Sequence, residues 1–389
     1  MVGVVGMYKF DYGYFASAPA TVEFLRSANT MEARTGFESY LQNVHRKLHK
    51  EDLAEYCSQS KLSKSFVDSA AQRYKDITTG AIEPVFVAAN LYNSEMVLPN
   101  MAAQLLALAD TVGHSRLFIS IYENGSKDKT KEILHRFNAT LDALGIAHRI
   151  IADDTPKPEH IHRIEYLAKL RNYALEPLYD SGAKFGQVIF VNDVYFCLSD
   201  LLELVFQSKA HEAHLTCGED FVNWNGGPGF YDVWVARDMR GQIFKNEIHR
   251  ISKDDITLVA QMRDRPFQVQ CCWNGIAVID AQAFRGKDGL RFRRSSEGEC
   301  SASECSLFCN DMWHKGLNRV VMVPRVKLAY NVEMRDMLRE PRYFPAGAPF
   351  SDPEVEKISF RSGPKDVVCR PLNGIDSHGP DGPATLVPL

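Results

Sequence analysis

Short apolar runs alternate with segments of helical periodicity through the first half of the chain. Four runs rich in β-branched and aromatic residues indicate buried strands, at 85–89, 117–122, 148–151 and 188–196. Three stretches between them repeat their apolar residues with helical spacing, at 95–112, 126–144 and 165–179. Ser126 is predicted to cap the second helix and Gly145 to end it. This alternation predicts right-handed crossovers and a parallel sheet.

The second half has a weaker pattern. It predicts helices at 200–208 and 303–315, an open loop at 225–229, strands at 214–217, 231–236 and 320–330, and a strand pair over 267–279 that is broken at 273–275. We expect a helical extension over 1–80 (helices at 37–58 and 63–76), a main domain over 81–335, and an irregular tail with a disordered end over 336–389. The predicted fold class is α/β, a Rossmann-like, mostly parallel sheet flanked by helices.

Charge and hydropathy exclude some classes of protein. The 389-residue chain has a net charge of -4 and no dense basic stripe, which argues against nucleic-acid binding. No run of about 18 apolar residues is present, so no membrane span is predicted. Residues 1–20 mix Lys9, Asp11 and several aromatic residues with apolar ones, a poor pattern for a signal peptide. We therefore expect either a cytosolic protein or an anchor outside this chain.

The nine cysteines leave at least one thiol free or paired outside the chain. Cys300, Cys305 and Cys309, with His314 nearby, form a candidate zinc set, but they lack the two-residue spacing typical of zinc sites. In an oxidising compartment, disulfides within 271–309 are the favoured alternative.

Polar residues follow several of the predicted strands. They are Asn90, Asn93 and Glu95 after the first, Glu123 and Asn124 after the second, and Asn192 and Asp193 after the fourth. Because the carboxyl ends of parallel strands lie at one edge of a sheet, these side chains should line one crevice. The first two groups could hydrogen-bond a nucleobase and its ribose, and the Asp193 carboxylate suits a hard divalent cation.

The chain has neither G-x-G-x-x-G at the first turn nor G-x-x-x-x-G-K-[ST], so a dinucleotide fold and an NTPase phosphate loop are both unlikely. The diphosphate of a bound nucleotide would then need another neutralising group. A divalent cation on Asp193 would serve, assisted by Arg163, Lys169 or Arg171.

Six segments together resemble the fungal capsule-associated α-1,3-mannosyltransferases of glycosyltransferase family 69. They are FVAAN (86–90), YENGS (122–126), LRN (170–172), FVNDVYFC (190–197), FYDVWVAR (230–237) and CWNG (272–275). The resemblance covers roughly 84–330. It implies a GT-A fold, GDP-mannose as the donor, a requirement for Mn²⁺ or Mg²⁺, and transfer to a mannose 3-hydroxyl. It also implies the Golgi lumen, with an N-terminal anchor that this chain does not show. The cytoplasm is the alternative location.

The resemblance also implies roles for individual residues. The guanosine pocket would be lined by Asn90, Asn93, Glu95, Glu123 and Asn124, with Arg171, Asn172 and Asn192 close to the donor. Asp193 would be the metal ligand, although Val191 stands where the family pattern usually has a first aspartate. The sugar and acceptor side would be shaped by Asp220, Tyr231, Asp232, Trp234, Arg237, Trp273, Asn274, Gly275 and Glu304. For the tryptophans among these, and for Trp224, the flat ring faces suit pyranose rings.

Transfer with retention of configuration has two candidate routes. One is a covalent intermediate on a carboxylate such as Asp220 or Glu304. The other is front-face attack, in which the leaving diphosphate takes the acceptor proton. We favour the second, because no pair of carboxylates is recognisable as nucleophile and acid. Two other functions stay open: a glycosyltransferase that uses another nucleotide sugar, such as a UDP-sugar, and a catalytically silent carbohydrate-binding partner of a polysaccharide-assembly complex.

Overall fold

The protein is described from a computed structural model, which covers residues 20–57, 70–155, 157–180, 184–344, 357–375 and 377–389. The predicted α/β architecture is confirmed: one nine-stranded sheet, flanked by helices, follows an N-terminal helical segment. Six of its strands run in one direction and three in the other, as the pairing of neighbours shows.

The first half of the sheet is parallel, as the alternating pattern predicts. Its strands are β1 (Val85–Leu91), β2 (Leu117–Asn124), β3 (Ala147–Asp153) and β4 (Gln187–Val191), in the spatial order β3-β2-β1-β4. The crossover helices are α4 (Leu98–Val112), α5 (Thr130–Leu144) and α6 (Arg163–Asp180). Gly145 ends α5 in a left-handed conformation, with φ of 66°, as predicted.

The second half is mixed. After α7 (Leu198–Ala210), the chain forms β5 (Leu215–Trp224), β6 (Gly227–Phe230), α8 (Asp255–Met262), β7 (Phe267–Gln268), β8 (Ile276–Asp280), α9 (Glu304–His314), β9 (Val320–Ala329) and α10 (Val332–Met337). β8 lies between β4 and β5, antiparallel to both, while β5 and β9 are parallel.

One loop prediction and one strand prediction for this half are wrong. Residues 225–229, predicted as an open loop, close a hairpin between β5 and β6. Residues 231–236, predicted as a strand, form turns instead. The cause is local: Asn225 and Gly226 adopt φ of 53° and 86°, which suits a two-residue hairpin turn, so the strand begins at Gly227 and ends at Phe230.

The N-terminal helical segment that begins at Ala20 and the C-terminal segment both contact the main domain. α1 (Ala20–His49) and α2 (Leu53–Cys57) precede α3 (Lys75–Thr78); the predicted helix at 63–76 lies partly outside the described residues. The buried residues of α1 join the core beneath α4, α5 and α7. At the other end, where a disordered end is predicted, β10 (Asp366–Cys369) and β11 (Thr385–Pro388) form a two-stranded antiparallel sheet. Within the described part of the chain, no helix combines the length and apolar character needed to cross a bilayer.

Candidate functional site

The carboxyl ends of β1, β2 and β4 lie side by side, because these strands are parallel neighbours. β8 runs the other way, so its first residue, Ile276, pairs with Val191 at the end of β4. The turn at 273–275 therefore reaches the same edge. The Asn192 N–H donates to the Gly275 carbonyl at 2.8 Å, which joins this turn to the end of β4.

Gly275 has a specific steric reason to be glycine. Its φ is 78°, and a Cβ on it would lie 2.9 Å from Val194 Cγ1. Asn274 beside it also has a positive φ, of 48°. The turn therefore packs closely against the segment that follows β4.

Hydrogen bonds join the loops that follow β1 and β2. The Asn93 N–H donates to Ser126 Oγ, and Asn93 Oδ1 accepts from the Lys127 N–H, both at 2.8 Å. Glu95 Oε2 accepts from the Lys129 N–H at 3.0 Å. Ser126 thus connects the loops, and the prediction that it caps α5 is wrong, since the helix begins after Lys129. The hydrogen bonds of Asn93 and Glu95 fix the positions of the two loops relative to each other.

Three side-chain oxygens at the ends of β1 and β2 have no hydrogen-bond partner among the described residues. They are Asn90 Oδ1, Glu123 Oε2 and Asn124 Oδ1. The other Glu123 oxygen accepts from the Ser126 N–H, and Lys131 Nζ lies 3.9 Å from Oε2. Because an unpaired buried acceptor is costly, these oxygens indicate a position for water or for a ligand with N–H or O–H donors.

Asp193 lies just beyond β4 at this edge and is exposed. The surrounding protein nevertheless raises the pKa of Asp193, because desolvation outweighs the attraction of Arg171. The described residues contain no cluster of three His, Cys, Asp or Glu side chains that could hold a metal ion. Val191 is fully buried. A cation here would thus have one protein carboxylate and would take further oxygens from phosphate and water, as Mg²⁺ commonly does.

Arg171 and Glu304 form a buried ion pair behind Asp193. Arg171 Nε lies 2.9 Å from Glu304 Oε1, and Arg171 Nη1 donates to Asn192 Oδ1 at 3.4 Å. The guanidinium also stacks 4.9 Å from the ring centres of Phe190 and Trp273. Glu304 is the first residue of α9, as predicted. The pair links α6, α9 and the end of β4.

A second polar network surrounds Asp220 on β5. Asp220 Oδ1 accepts from Asn274 Nδ2 at 2.8 Å, and its Oδ2 accepts from the Tyr330 hydroxyl at 2.9 Å. Burial, and next the nearby Asp232 carboxylate, raise the pKa of Asp220 to about 7. Burial also raises the pKa of Asp232, whose oxygens accept from the N–H groups of Val235 and Asn274. The two acids therefore influence each other's protonation, and burial favours the neutral form of each.

Tyr330 is absent from the sequence-based site. It follows β9 at the carboxyl edge, and its ring lies 4.6 Å from that of Tyr231. Its position at the end of a predicted strand is the same signal that identified Asp193, and that signal could have found it.

Several predicted site residues are occupied by contacts within the protein. Arg163 Nη1 donates to the His378 carbonyl at 2.9 Å, and Lys169 forms an exposed ion pair with Glu165 at 2.8 Å. The Asn172 amide bonds both backbone groups of Phe292, at 2.8 and 3.0 Å. Lys169 therefore lies on an outer helix face, and Asn172 has a packing role. Arg163 lies near Tyr231: it lowers the pKa of Tyr231, although the larger effect of burial raises it.

Three other residues predicted on the acceptor side make structural contacts. Trp273 is 2% exposed among Phe190, Phe292 and Phe308, so it offers no open face to a sugar. Trp234 Nε1 donates to the Arg370 carbonyl at 2.8 Å. Arg237 donates to the carbonyls of Val368 and Val235 at 2.6 and 2.7 Å and to Ser306 Oγ at 3.1 Å. Trp234 and Arg237 anchor the segment around β10.

The cysteines form four disulfides: Cys57–Cys197, Cys217–Cys272, Cys271–Cys309 and Cys300–Cys369. The zinc alternative is wrong, because Cys300 and Cys309 are paired and only the buried Cys305 is free. Of the disulfides expected within 271–309, Cys271–Cys309 is confirmed. Four disulfides are typical of a protein that folds in an oxidising compartment.

Fold and site together define an α/β protein with acidic and amide side chains gathered at the carboxyl edge of its sheet. The profile of the family described as Cryptococcal mannosyltransferase 1 matches residues 84–311. Alpha-1,3-mannosyltransferase CMT1 of Cryptococcus neoformans var. neoformans serotype D is 30% identical over 353 residues, covering 82% of this chain and 75% of the relative. The chain belongs to the cryptococcal mannosyltransferase family, a family of glycosyltransferases.

Two solved structures show a more distant likeness. Mannosyltransferase PcManGT from Pyrobaculum calidifontis, in complex with GDP-Man and Mn2+, is 14% identical, with a TM-score of 0.38 over 71% of this chain and 68% of that one. S. aureus TarS 1-349 is 16% identical, with a TM-score of 0.38 over 64% of this chain and 60% of that one. Similarities of this size do not indicate the substrate of this protein.

Proposed function

We propose that the protein transfers mannose from GDP-mannose to the 3-hydroxyl of an α-mannoside, with retention of configuration, on a GT-A-type sheet. The observation that carries the proposal is family membership together with 30% identity to a relative named as an α-1,3-mannosyltransferase. The candidate site supports it chemically, because polar groups from β1, β2 and β4 lie at the edge where α/β sheets bind ligands.

The unpaired oxygens favour guanine as the donor base. Asn90, Glu123 and Asn124 each present an acceptor without a partner among the described residues. Guanine offers an N1–H and an exocyclic amino group as donors, whereas uracil offers a single ring N–H. A site with several acceptors therefore suits GDP better than UDP. A UDP-sugar is nevertheless the second candidate donor, since the same oxygens could bind ribose hydroxyls.

Asp193 would hold Mn²⁺ or Mg²⁺ together with the diphosphate, and Asn192 lies beside it. A bound cation would neutralise the charge that develops on the leaving diphosphate. Arg171 adds fixed positive charge near Asp193, as its effect on the Asp193 pKa shows. Arg163, the first residue of α6, is a further cation on this helix. Lys169 pairs with Glu165 on the exposed face and contributes less.

The contacts of the other carboxylates favour front-face attack over a covalent intermediate. Glu304 is neutralised by Arg171, and Asp220 accepts hydrogen bonds from Asn274 and Tyr330. A carboxylate with these partners is a weakened nucleophile. The protein then contributes by orienting the donor and acceptor and by electrostatic stabilisation, with Asp220 and Asp232 positioned on the acceptor side.

The four disulfides support a compartment of the secretory pathway, and we place the enzyme in the Golgi lumen, with the cytoplasm as the alternative. A silent carbohydrate-binding role is the remaining alternative function. The single carboxylate at the candidate metal position is the observation that favours it.

Nucleotide release from a panel of sugar nucleotides tests the proposal. The protein is incubated with each donor and α-mannobiose, in Mn²⁺, Mg²⁺ or EDTA. We expect GDP release from GDP-mannose alone, and its loss in EDTA. Release from a UDP-sugar instead would overturn the donor. No release from any donor, by a folded protein that still binds mannosides, would support the silent partner.

A further inference from the structure

The hairpin of β5 and β6 extends past the acidic network, and one of its faces is aligned with it. On β5, Asp220 and Trp224 are four residues apart and therefore share a face. Gly227 on β6 pairs with Trp224, and the Tyr231 N–H donates to the Asp220 carbonyl at 2.9 Å. Asp220 and Tyr231 thus lie at the base of this face and Trp224 at its tip, roughly 13 Å farther along the strand.

Trp224 lies over backbone that carries no side chain. A Cβ at Gly229 would be 2.5 Å from Trp224 Cβ and 3.2 Å from the Asn246 carbonyl oxygen. Tyr343 lies against Gly227 in the same way, 3.5 Å from the position of a Cβ. Trp224 is still 51% exposed. Trp224 and the Asn246 carbonyl therefore fill the space over Gly229 and Tyr343 packs on Gly227, while the Trp224 side chain stays open to solvent at the tip.

The tip of the hairpin is held rigidly. Asn225 and Gly226 both have positive φ, as a two-residue hairpin turn requires. Asn223 Oδ1 accepts from the Gly226 N–H at 3.1 Å, and Asn223 Nδ2 donates to Glu333 Oε1 at 3.2 Å. The position of Trp224 is therefore fixed before any ligand binds, which lowers the entropic cost of stacking against it.

We propose that this face binds the neutral oligosaccharide chain of the acceptor, with Trp224 stacking on a sugar beyond the one that receives mannose. The inference rests on the proposed function. An aromatic face suits the apolar face of a pyranose ring. Between Tyr231 and Trp224 the hairpin carries Val222, Gly229 and Gly227, and the Asn246 carbonyl and Tyr343 pack on the two glycines. None of these residues is charged, and Arg342, which stacks on the Tyr343 ring, is paired with Glu340, so the face suits a neutral chain. Tyr231, which is also exposed, joins this face to the acceptor side of the candidate site.

Acceptor length provides the test. Kinetic constants are measured for Trp224→Ala with methyl α-mannoside and with α-mannosides of two to five residues. We expect KM for the longest acceptor to rise about tenfold, the equivalent of one aromatic stacking contact, with kcat and the KM for methyl α-mannoside unchanged. Trp224→Phe should retain most of the effect. Tyr173→Ala, which removes another exposed aromatic residue on α6, is the matched control and should change neither constant.

Binding without donor separates this inference from the proposed function. Titration calorimetry with mannopentaose is performed on the wild type and on Trp224→Ala. Weaker binding by the variant supports the subsite even if no donor is turned over, in which case only the transferase proposal fails. Equal binding, or an equal rise in KM for every acceptor length, would overturn the subsite. So would an effect of Trp224→Ala only on self-association or on binding to phosphatidylcholine vesicles.

Discussion

The two halves of the sheet hold their polar side chains differently. At the ends of β1 and β2, acceptors such as Asn90 Oδ1 and Asn124 Oδ1 lack partners among the described residues. On the β5 side, Asp220 and Glu304 are buried and fully engaged by neighbouring side chains. The first half therefore has hydrogen-bonding capacity left for a ligand, while the buried carboxyl groups of the second half are bonded within the protein.

Asp193, at the boundary between the halves, should give the largest effect. Asp193→Asn removes the one carboxylate proposed to hold the cation, and transfer should fall by about 10³-fold or more. Manganese binding, followed by electron paramagnetic resonance in the presence of GDP, should weaken in parallel, with the melting temperature unchanged. Glu297→Gln, an exposed acid, is the control. Wild-type activity in Asp193→Asn would eliminate the metal role.

The buried ion pair should come next. Arg171→Met leaves Glu304 charged and unpaired, and should lower the free energy of unfolding by about 3–5 kcal/mol. Lys169→Met removes the exposed pair with Glu165 on the same helix and should cost at most about 0.5 kcal/mol. Urea denaturation measures both. Equal losses of unfolding free energy in the two variants would contradict the larger contribution of the buried ion pair.

The disulfide between Cys300 and Cys369 ties the C-terminal segment to the start of α9 across 69 residues. Replacing both cysteines by serine should lower the free energy of unfolding by about 2–4 kcal/mol, because the unfolded chain gains freedom. Thermal unfolding measures the change. An unchanged free energy of unfolding in the variant would contradict this role of the bond.

The smallest effect concerns pH. Burial raises the pKa of Asp220 to about 7. Between about pH 4 and 7 the folded state therefore keeps a proton that the unfolded state releases. The stabilisation from this group is therefore complete at low pH and is lost as pH rises through about 7. Asp220→Asn should reduce the fall in unfolding free energy between pH 5 and 8 by about 1–3 kcal/mol. Identical pH slopes in both proteins would refute this assignment.

The sequence predicts the first half well because its order is local. Each strand from β1 to β4 is an apolar run, each crossover helix has its own periodicity, and Gly145 marks a helix end. The placement of Asp193 at the carboxyl edge follows from strand direction alone.

The second half depends on contacts between distant residues, which periodicity does not report. Trp273 has the composition of a sugar-binding residue but lies in an aromatic core assembled from three separate segments. Arg237 is held by Val368, 131 positions away. The Asn225-Gly226 turn is an exception, because this dipeptide between apolar runs is a strong hairpin signal that the interpretation of 225–229 as an open loop overlooked.

Product analysis after reaction of GDP-mannose with α-mannobiose tests the central claim most directly. The purified trisaccharide is examined by NMR for the configuration of the new anomeric carbon and for the position of substitution. The proposed function predicts one new α-linked mannose on a 3-hydroxyl, formed only when a divalent cation is present. A β-linked product, substitution at another hydroxyl, or a reaction that proceeds undiminished in EDTA would contradict it.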